Sequence, residues 1–196
     1  ISEMSDRMAR IIQNLRAFAR QESVPQKRVD VVRVVASAIE LTQTYLDDAG
    51  VTLAYDPPET PVWVHGGEVR LGQVFVNLIT NACDAMSGRE TRRLTVQIMT
   101  DDGIEVCFQD TGPGIEMPDK VFDPFYTTKS VGGSSGMGLG LSISYGIVQS
   151  FGGQIRGSNL ETARPDAPSP DANPLDGGGA MFSVQLERAD EIEVAA

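Results

Sequence analysis

Residues 69–86, VRLGQVFVNLITNACDAM, constrain the fold more than any other stretch. Leu71, Val74, Phe75, Leu78, Ile79, Ala82 and Met86 recur at steps of three and four, the spacing of a helix with one buried face. Arg70, Gln73, Asn77, Asn81 and Asp84 recur at the same steps and form a polar stripe on the other side. A solvated face ordinarily uses Glu and Lys, whereas an Asn amide competes for backbone hydrogen bonds and weakens a helix interior. Two amides one turn apart at the centre of the stripe therefore suggest a ligand. An amide oxygen binds a hard cation such as Mg²⁺ without adding charge, and Mg²⁺ takes few protein oxygens alongside phosphate oxygens. Asn81 is the candidate metal ligand, with Asn77 close to it. Taken alone, the stripe also fits an ordinary surface helix.

The rest of the chain arranges itself around this helix. Ile1, Met4, Met8, Ile11, Leu15 and Phe18 have the spacing of a coiled-coil or helix-bundle seam, and Pro25 closes it in a linker. Residues 29–50 begin as a strand and become a helix capped by Gly50. VTLAYD and PVWVHG read as two strands joined through Pro57 and Pro58, and residues 92–110 as two strands across an Asp-Asp-Gly turn. Residues 111–137 are loop-like, and residues 139–153 form a helix stopped by a glycine pair. QIRGSN and GAMFSVQLE are a final strand pair, separated by a Pro-, Asp- and Gly-rich flexible insertion around 160–178. The tail after Leu186 is acidic and expected to fray. Helices and antiparallel strands in blocks favour an α+β fold with helices on one face of a mixed sheet.

Charge narrows the function. The net charge of −11 argues against broad binding to nucleic acid or to an anionic membrane, but leaves room for a phosphate held by a metal and a few backbone amides. Cys83 and Cys107 lack metal-like spacing and read as buried free thiols in a reducing, cytoplasmic setting. No run of 18 apolar residues occurs, so membrane contact is expected only through segments outside this chain. The chain begins with Ile1 and is read as a piece of a longer protein.

Two further segments carry chemistry. In QDTGPGI (109–115), Asp110 ends a strand in which Ile104, Val106 and Phe108 alternate. A carboxylate before Gly-x-Gly lets a planar ring approach bare backbone. It accepts from the exocyclic amine of adenine and repels the carbonyl of guanine. In GGSSGMGLGLSIS (132–144), glycines 136, 138 and 140 open into a helix whose free N–H groups and dipole suit a phosphate. Lys129 lies just upstream as a mobile point charge. An ordinary turn and a flexible linker would each explain one of these segments in isolation. Their order after the asparagine helix is what makes the set specific.

In that order the segments resemble the ATP-binding domain shared by sensor histidine kinases, DNA gyrase, the MutL repair proteins and a heat-shock chaperone. NLITNACDAM resembles its asparagine box, DTGPGI its first glycine box, FDPFYTTK its phenylalanine box and GMGLGLS its second glycine box, over roughly residues 28–188. The resemblance implies a two-layer α/β sandwich with a mobile ATP lid at about 124–138. It implies Mg-ATP bound by Asn77, Asn81, Asp84, Asp110, Gly112, Gly114, Ile115, Lys129, Gly136, Gly138, Leu139, Gly140 and Leu141. Asn77, Asn81 and Lys129 are the expected catalytic set, with Asp84 in the outer sphere of the metal.

Gyrase-like members place a glutamate one turn before the metal asparagine to polarise water, and here that position is Asn77. An amide is no general base at neutral pH. The resemblance therefore favours a histidine kinase of the nitrogen-regulatory and dicarboxylate-sensing branch over a hydrolase. A gyrase-like or MutL-like ATPase and a non-catalytic nucleotide-binding module are the alternatives. RIIQNLRAFAR (10–20) resembles the second helix of that branch's dimerisation and phosphoacceptor domain. The implied organisation is a truncated bundle helix at 1–24, the catalytic domain at 25–188 and an acidic tail at 189–196. The only histidine, His65, sits at a strand end and lacks the helical context of an acceptor. The acceptor histidine is thus expected on a domain of the same protein or a dimer mate. The next partner is the receiver domain of a response regulator.

Overall fold

A computed structural model describes residues 27–127, 138–160 and 178–189. The bundle helix at 1–24, the inserted loop, Lys129, Gly136 and most of the lid lie outside the described residues.

Among the described residues seven strands and three α-helices build two layers. Strand β1 (Lys27–Asp30) leads directly into helix α1 (Val31–Ala49). Asp30 caps α1, its Oδ1 accepting from Val32 N at 3.1 Å, and Gly50 ends it in the left-handed conformation at φ 63°. After β2 (Thr52–Tyr55) and β3 (Trp63–Gly66) comes α2 (Glu68–Ala85), the asparagine helix. Strands β4 (Arg93–Met99) and β5 (Ile104–Asp110) precede a 3₁₀ turn at Pro118–Lys120 and helix α3 (Gly140–Ser150). Strands β6 (Gln154–Asn159) and β7 (Ala180–Leu186) close the order.

The main sheet has five strands in the order β2-β4-β5-β7-β6, antiparallel except for the parallel β2–β4 pair. The strands on either side of Pro57 and Pro58 do not pair with each other: β2 joins the main sheet, whereas β3 pairs with β1 in a separate ribbon. The fraying expected after Leu186 does not hold for residues 187–189. His65 N donates to Glu187 O at 3.0 Å and Ala189 N to Trp63 O at 2.9 Å, so the chain leaving β7 ties the ribbon to the main sheet.

The core lies between the helices and one face of the sheet. The apolar stripe of α2 is buried as its spacing predicts, from Leu71 to Met86, and the Phe75 ring meets Phe108 of β5 with centroids 5.6 Å apart. Burying each such side chain contributes on the order of 2 kcal/mol. Helix α1 lies beside α2 at both ends: Val34 faces Gly72, and Tyr45 donates to Asp84. This packing turns the polar stripe of α2 away from the core, with Gln73 exposed and Arg70, Asn77, Asn81 and Asp84 partly buried.

Candidate functional site

Strand alternation places Asp110. Ile104, Val106 and Phe108 are buried on the helix-covered face of β5, and Asp110 follows on the same parity, 2% exposed. Its Oδ1 accepts from Gly112 N at 2.8 Å and from Ala180 N at 3.4 Å; neither bond uses Oδ2. Burial pushes this carboxyl above its ordinary value, and the two backbone N–H groups pull it back. Thr111 fixes the next step of the loop: its hydroxyl donates to Thr91 O at 2.9 Å and accepts from Arg93 N at 3.0 Å. Gly112 is required here because a Cβ would stand 2.7 Å from Asp110 Oδ1 and 3.2 Å from Ala85 Cβ.

The opposite end is made by helices. Among the described residues no side chain caps the start of α3, whose N-cap position is held by the apolar Leu139. Gly140 stands there against the Asn77 amide, where a Cβ would collide with Asn77 Oδ1. Asn77 Nδ2 donates to the buried Ser144 Oγ at 3.0 Å, clasping α2 to α3. Just before α3, Phe125 N donates to Gly138 O at 3.0 Å, with Phe125 at φ 67° and Gly138 at φ 68°. A Cβ on Gly138 would lie 2.5 Å from Tyr126 O. The segment joining residues 126 and 138 therefore leaves and returns at one point. A bulky residue at positive φ stores strain of about 1–3 kcal/mol, and at Phe125 this close backbone contact holds it.

Between the two ends lies a cavity of about 670 Å³. It brings together Asn77, Asn81, Asp84, Asp110, Gly114, Ile115, Gly138, Gly140 and Leu141 from the expected set. Gly112 supports Asp110 from behind. Leu139 departs from expectation: its side chain enters the hydrophobic core at 8% exposure, because residue 139 begins the helix on its inward face. Lys129 and Gly136 fall outside the described residues.

Several residues of the site were not singled out from the sequence. Tyr126 lines the cavity, and its hydroxyl is buried without a hydrogen-bond partner among the described residues. Its place in FYTTK was the available signal. Ala180 and Phe182 reach the cavity from β7, 70 residues beyond Asp110, a distance that local sequence pattern does not span. Tyr45, on α1, donates to Asp84 Oδ1. That bond, with burial and the charge of Asp84, raises the Tyr45 phenol to about 12.

A polar ligand with a planar ring and an anionic end fits this cavity. The buried Asp110 carboxylate lines it together with the start of α3, Gly138 and Gly140, and the Tyr126 hydroxyl, which has no hydrogen-bond partner among the described residues. Among the described residues no cluster of three His, Cys, Asp or Glu side chains forms a metal cage. Asn77, Asn81 and Asp84 line the cavity, and their side-chain oxygens are few enough to suit a hard cation whose shell phosphates complete.

Comparison with known proteins agrees. Residues 66–190 match the family described as histidine kinase-, DNA gyrase B- and HSP90-like ATPases. The C4-dicarboxylate transport sensor protein DctB of Pseudomonas aeruginosa is 35% identical over 166 residues, covering 82% of this chain and 27% of its own length. The chain thus spans about a quarter of that relative. A mycobacterial sensor histidine kinase, MprB, superposes with a TM-score of 0.61 at 26% identity, over 84% of this chain and 99% of that one. Full-length ShkA, solved with AMPPNP, shares the fold with a TM-score of 0.70 at 22% identity, over 96% of this chain and 37% of that one. The chain belongs to the histidine kinase-, DNA gyrase B- and HSP90-like ATPase family, and within it is an ATP-binding catalytic domain of the two-component sensor histidine kinase type.

Proposed function

We propose that this domain transfers the γ-phosphoryl group of Mg-ATP to a histidine on an acceptor helix, which then passes it to an aspartate of a response regulator. The acceptor belongs to the same protein or a dimer mate, and the reaction takes place in the cytoplasm. Among the described residues no helix is long and apolar enough to cross a membrane. His65 is read as structural: its backbone N donates to Glu187 O within the ribbon, and it does not line the cavity.

The observation that carries this reading is that one cavity is lined by Asp110, by the start of α3 and by the Asn77 and Asn81 amides. Asp110 Oδ2 accepts from the adenine amine. Gly114 and Ile115 wall the ring. The α3 N-terminus and Gly138 receive the phosphates, and Tyr126 donates its hydroxyl to the bound nucleotide. Asn81, assisted by Asn77 and Asp84, would hold Mg²⁺, which offsets phosphate charge when bound. As ADP leaves, the bond from phosphorus to the β–γ bridging oxygen breaks and a bond to the acceptor's imidazole nitrogen forms. The protein contributes positioning and charge neutralisation. Asn77, an amide bound to Ser144, cannot serve as the general base that gyrase-like members place at this position, which supports keeping the phosphoryl group for the acceptor.

The test uses γ-labelled Mg-ATP, the full chain and an acceptor-helix peptide bearing the histidine. Acid-labile, base-stable label on the peptide supports the proposal. Free phosphate with no labelled protein supports a gyrase-like hydrolase instead.

A further inference from the structure

We infer that Asn159, outside the cavity wall, is a positioning residue for the adenine ring. Ile115 N donates to Asn159 Oδ1 at 2.5 Å, and Asn159 Nδ2 donates to Ile115 O at 2.9 Å. One side-chain amide thus satisfies both backbone groups of a residue 44 positions away, as a neighbouring strand does in a ladder. The Asn amide carries a donor and an acceptor side by side on one planar group, as a backbone peptide pair does. Gly114, at φ 87°, makes the approach feasible: a Cβ there would stand 2.7 Å from Asn159 Oδ1. The same end of the β6–β7 hairpin holds Asp110, since Ala180 N donates to its Oδ1 and Leu160 N ties back to Gly179 O at 2.9 Å. The hairpin therefore grips both sides of the ring site: the carboxylate through Ala180 and the wall through Asn159. Gly114, Ile115 and Ala180 line the cavity and Asn159 does not, so Asn159 acts through Ile115. This inference rests on the proposal that the Asp110 end receives adenine.

The experiment is calorimetric titration of the full chain with ATP and with GTP, alongside thermal unfolding without nucleotide. Wild type, Asn159→Ala, Asn159→Asp and Asp110→Asn are compared. Losing both amide bonds in Asn159→Ala is expected to weaken ATP roughly tenfold with little effect on GTP, while the unfolding midpoint stays within about 3 °C. Asn159→Asp keeps the size and the acceptor but loses the donor to Ile115 O, and its ATP preference also falls. If Asn159→Ala is too unstable to titrate, the Asp variant decides. An unchanged ATP-over-GTP ratio in a folded Asn159 variant overturns the inference and leaves a hairpin tie. An unchanged ratio in Asp110→Asn overturns the adenine assignment itself, whatever Asn159 does.

Discussion

At the Asp110 end of the cleft, position comes from sheet register and backbone. The strand alternation of β5 buries the carboxylate, two backbone N–H groups hold one of its oxygens, and Thr111 and Asn159 pin the loop on either side. At the Gly140 end, position comes from contacts between separate elements. One amide clasps α2 to α3, and one backbone bond joins Phe125 to Gly138. The first end is built within the sheet and its adjoining loop, and the second is assembled from contacts between separate elements. Affinity and base selection should therefore follow the Asp110 end, and phosphoryl transfer the Gly140 end.

The largest expected effect lies at the transferring end. Asn81→Ala should lower phosphotransfer to the acceptor peptide by at least about 100-fold, while metal-free ADP binding changes by less than about threefold. Equal losses in both assays would erase the division between the ends.

Asp110→Asn probes the first end. ATP affinity should fall about 10- to 100-fold, the worth of a hydrogen bond to a charged acceptor. The unfolding midpoint should hold or rise, because a neutral amide escapes the burial penalty that raises the Asp110 carboxyl. The same shift gives a pH signature. Because the folded-state value is raised, the protonated form is favoured in the folded protein. The penalty of ionised Asp110 is present at neutral pH and is relieved as pH falls through the raised value. ATP affinity moves the opposite way, since the acceptor is lost, and it should decline at a pH above the ordinary carboxylate range. Calorimetry across pH 4–8 on wild type and Asp110→Asn reads this directly, with the dependence flattened in the variant.

Glycines of α3 sharpen the comparison further. A Cβ on Gly140 collides with Asn77, whereas a Cβ on Gly146 meets nothing within 4 Å. Gly140→Ala should destabilise by about 1–3 kcal/mol in urea and weaken phosphotransfer more than adenosine binding. Gly146→Ala should stabilise by about 0.5–1 kcal/mol and leave both unchanged. The smallest effect is expected for Tyr45→Phe, which removes a partly exposed bond to Asp84 and should cost less than about 1 kcal/mol.

Much of this was legible in the chain. The apolar steps from Leu71 to Met86 mark α2, and the Ile104–Val106–Phe108 alternation marks a half-buried strand with Asp110 at its end. Gly50 marks the end of α1. Each of these rests on local periodicity or capping. What escaped was non-local. Nothing near Pro57 reveals that β2 and β3 enter different sheets, because pairing depends on strands at 93–99 and 27–30. Glu187 to Ala189 read as a fraying acidic tail, yet their backbone pairs with β3, and composition says nothing about backbone partners. Asn159 looked like an ordinary strand end, and Ser144 like one more helical serine. Their roles appear only when residues 44 and 67 positions apart come together.

The most direct measurement is a crystal structure of the full chain with Mg²⁺ and a non-hydrolysable ATP analogue. The account predicts the adenine amine on Asp110, the metal on Asn81, and phosphates at the start of α3, with the Ile115–Asn159 pair unchanged. A nucleotide whose base lies away from Asp110, or a metal held without Asn81, would contradict it.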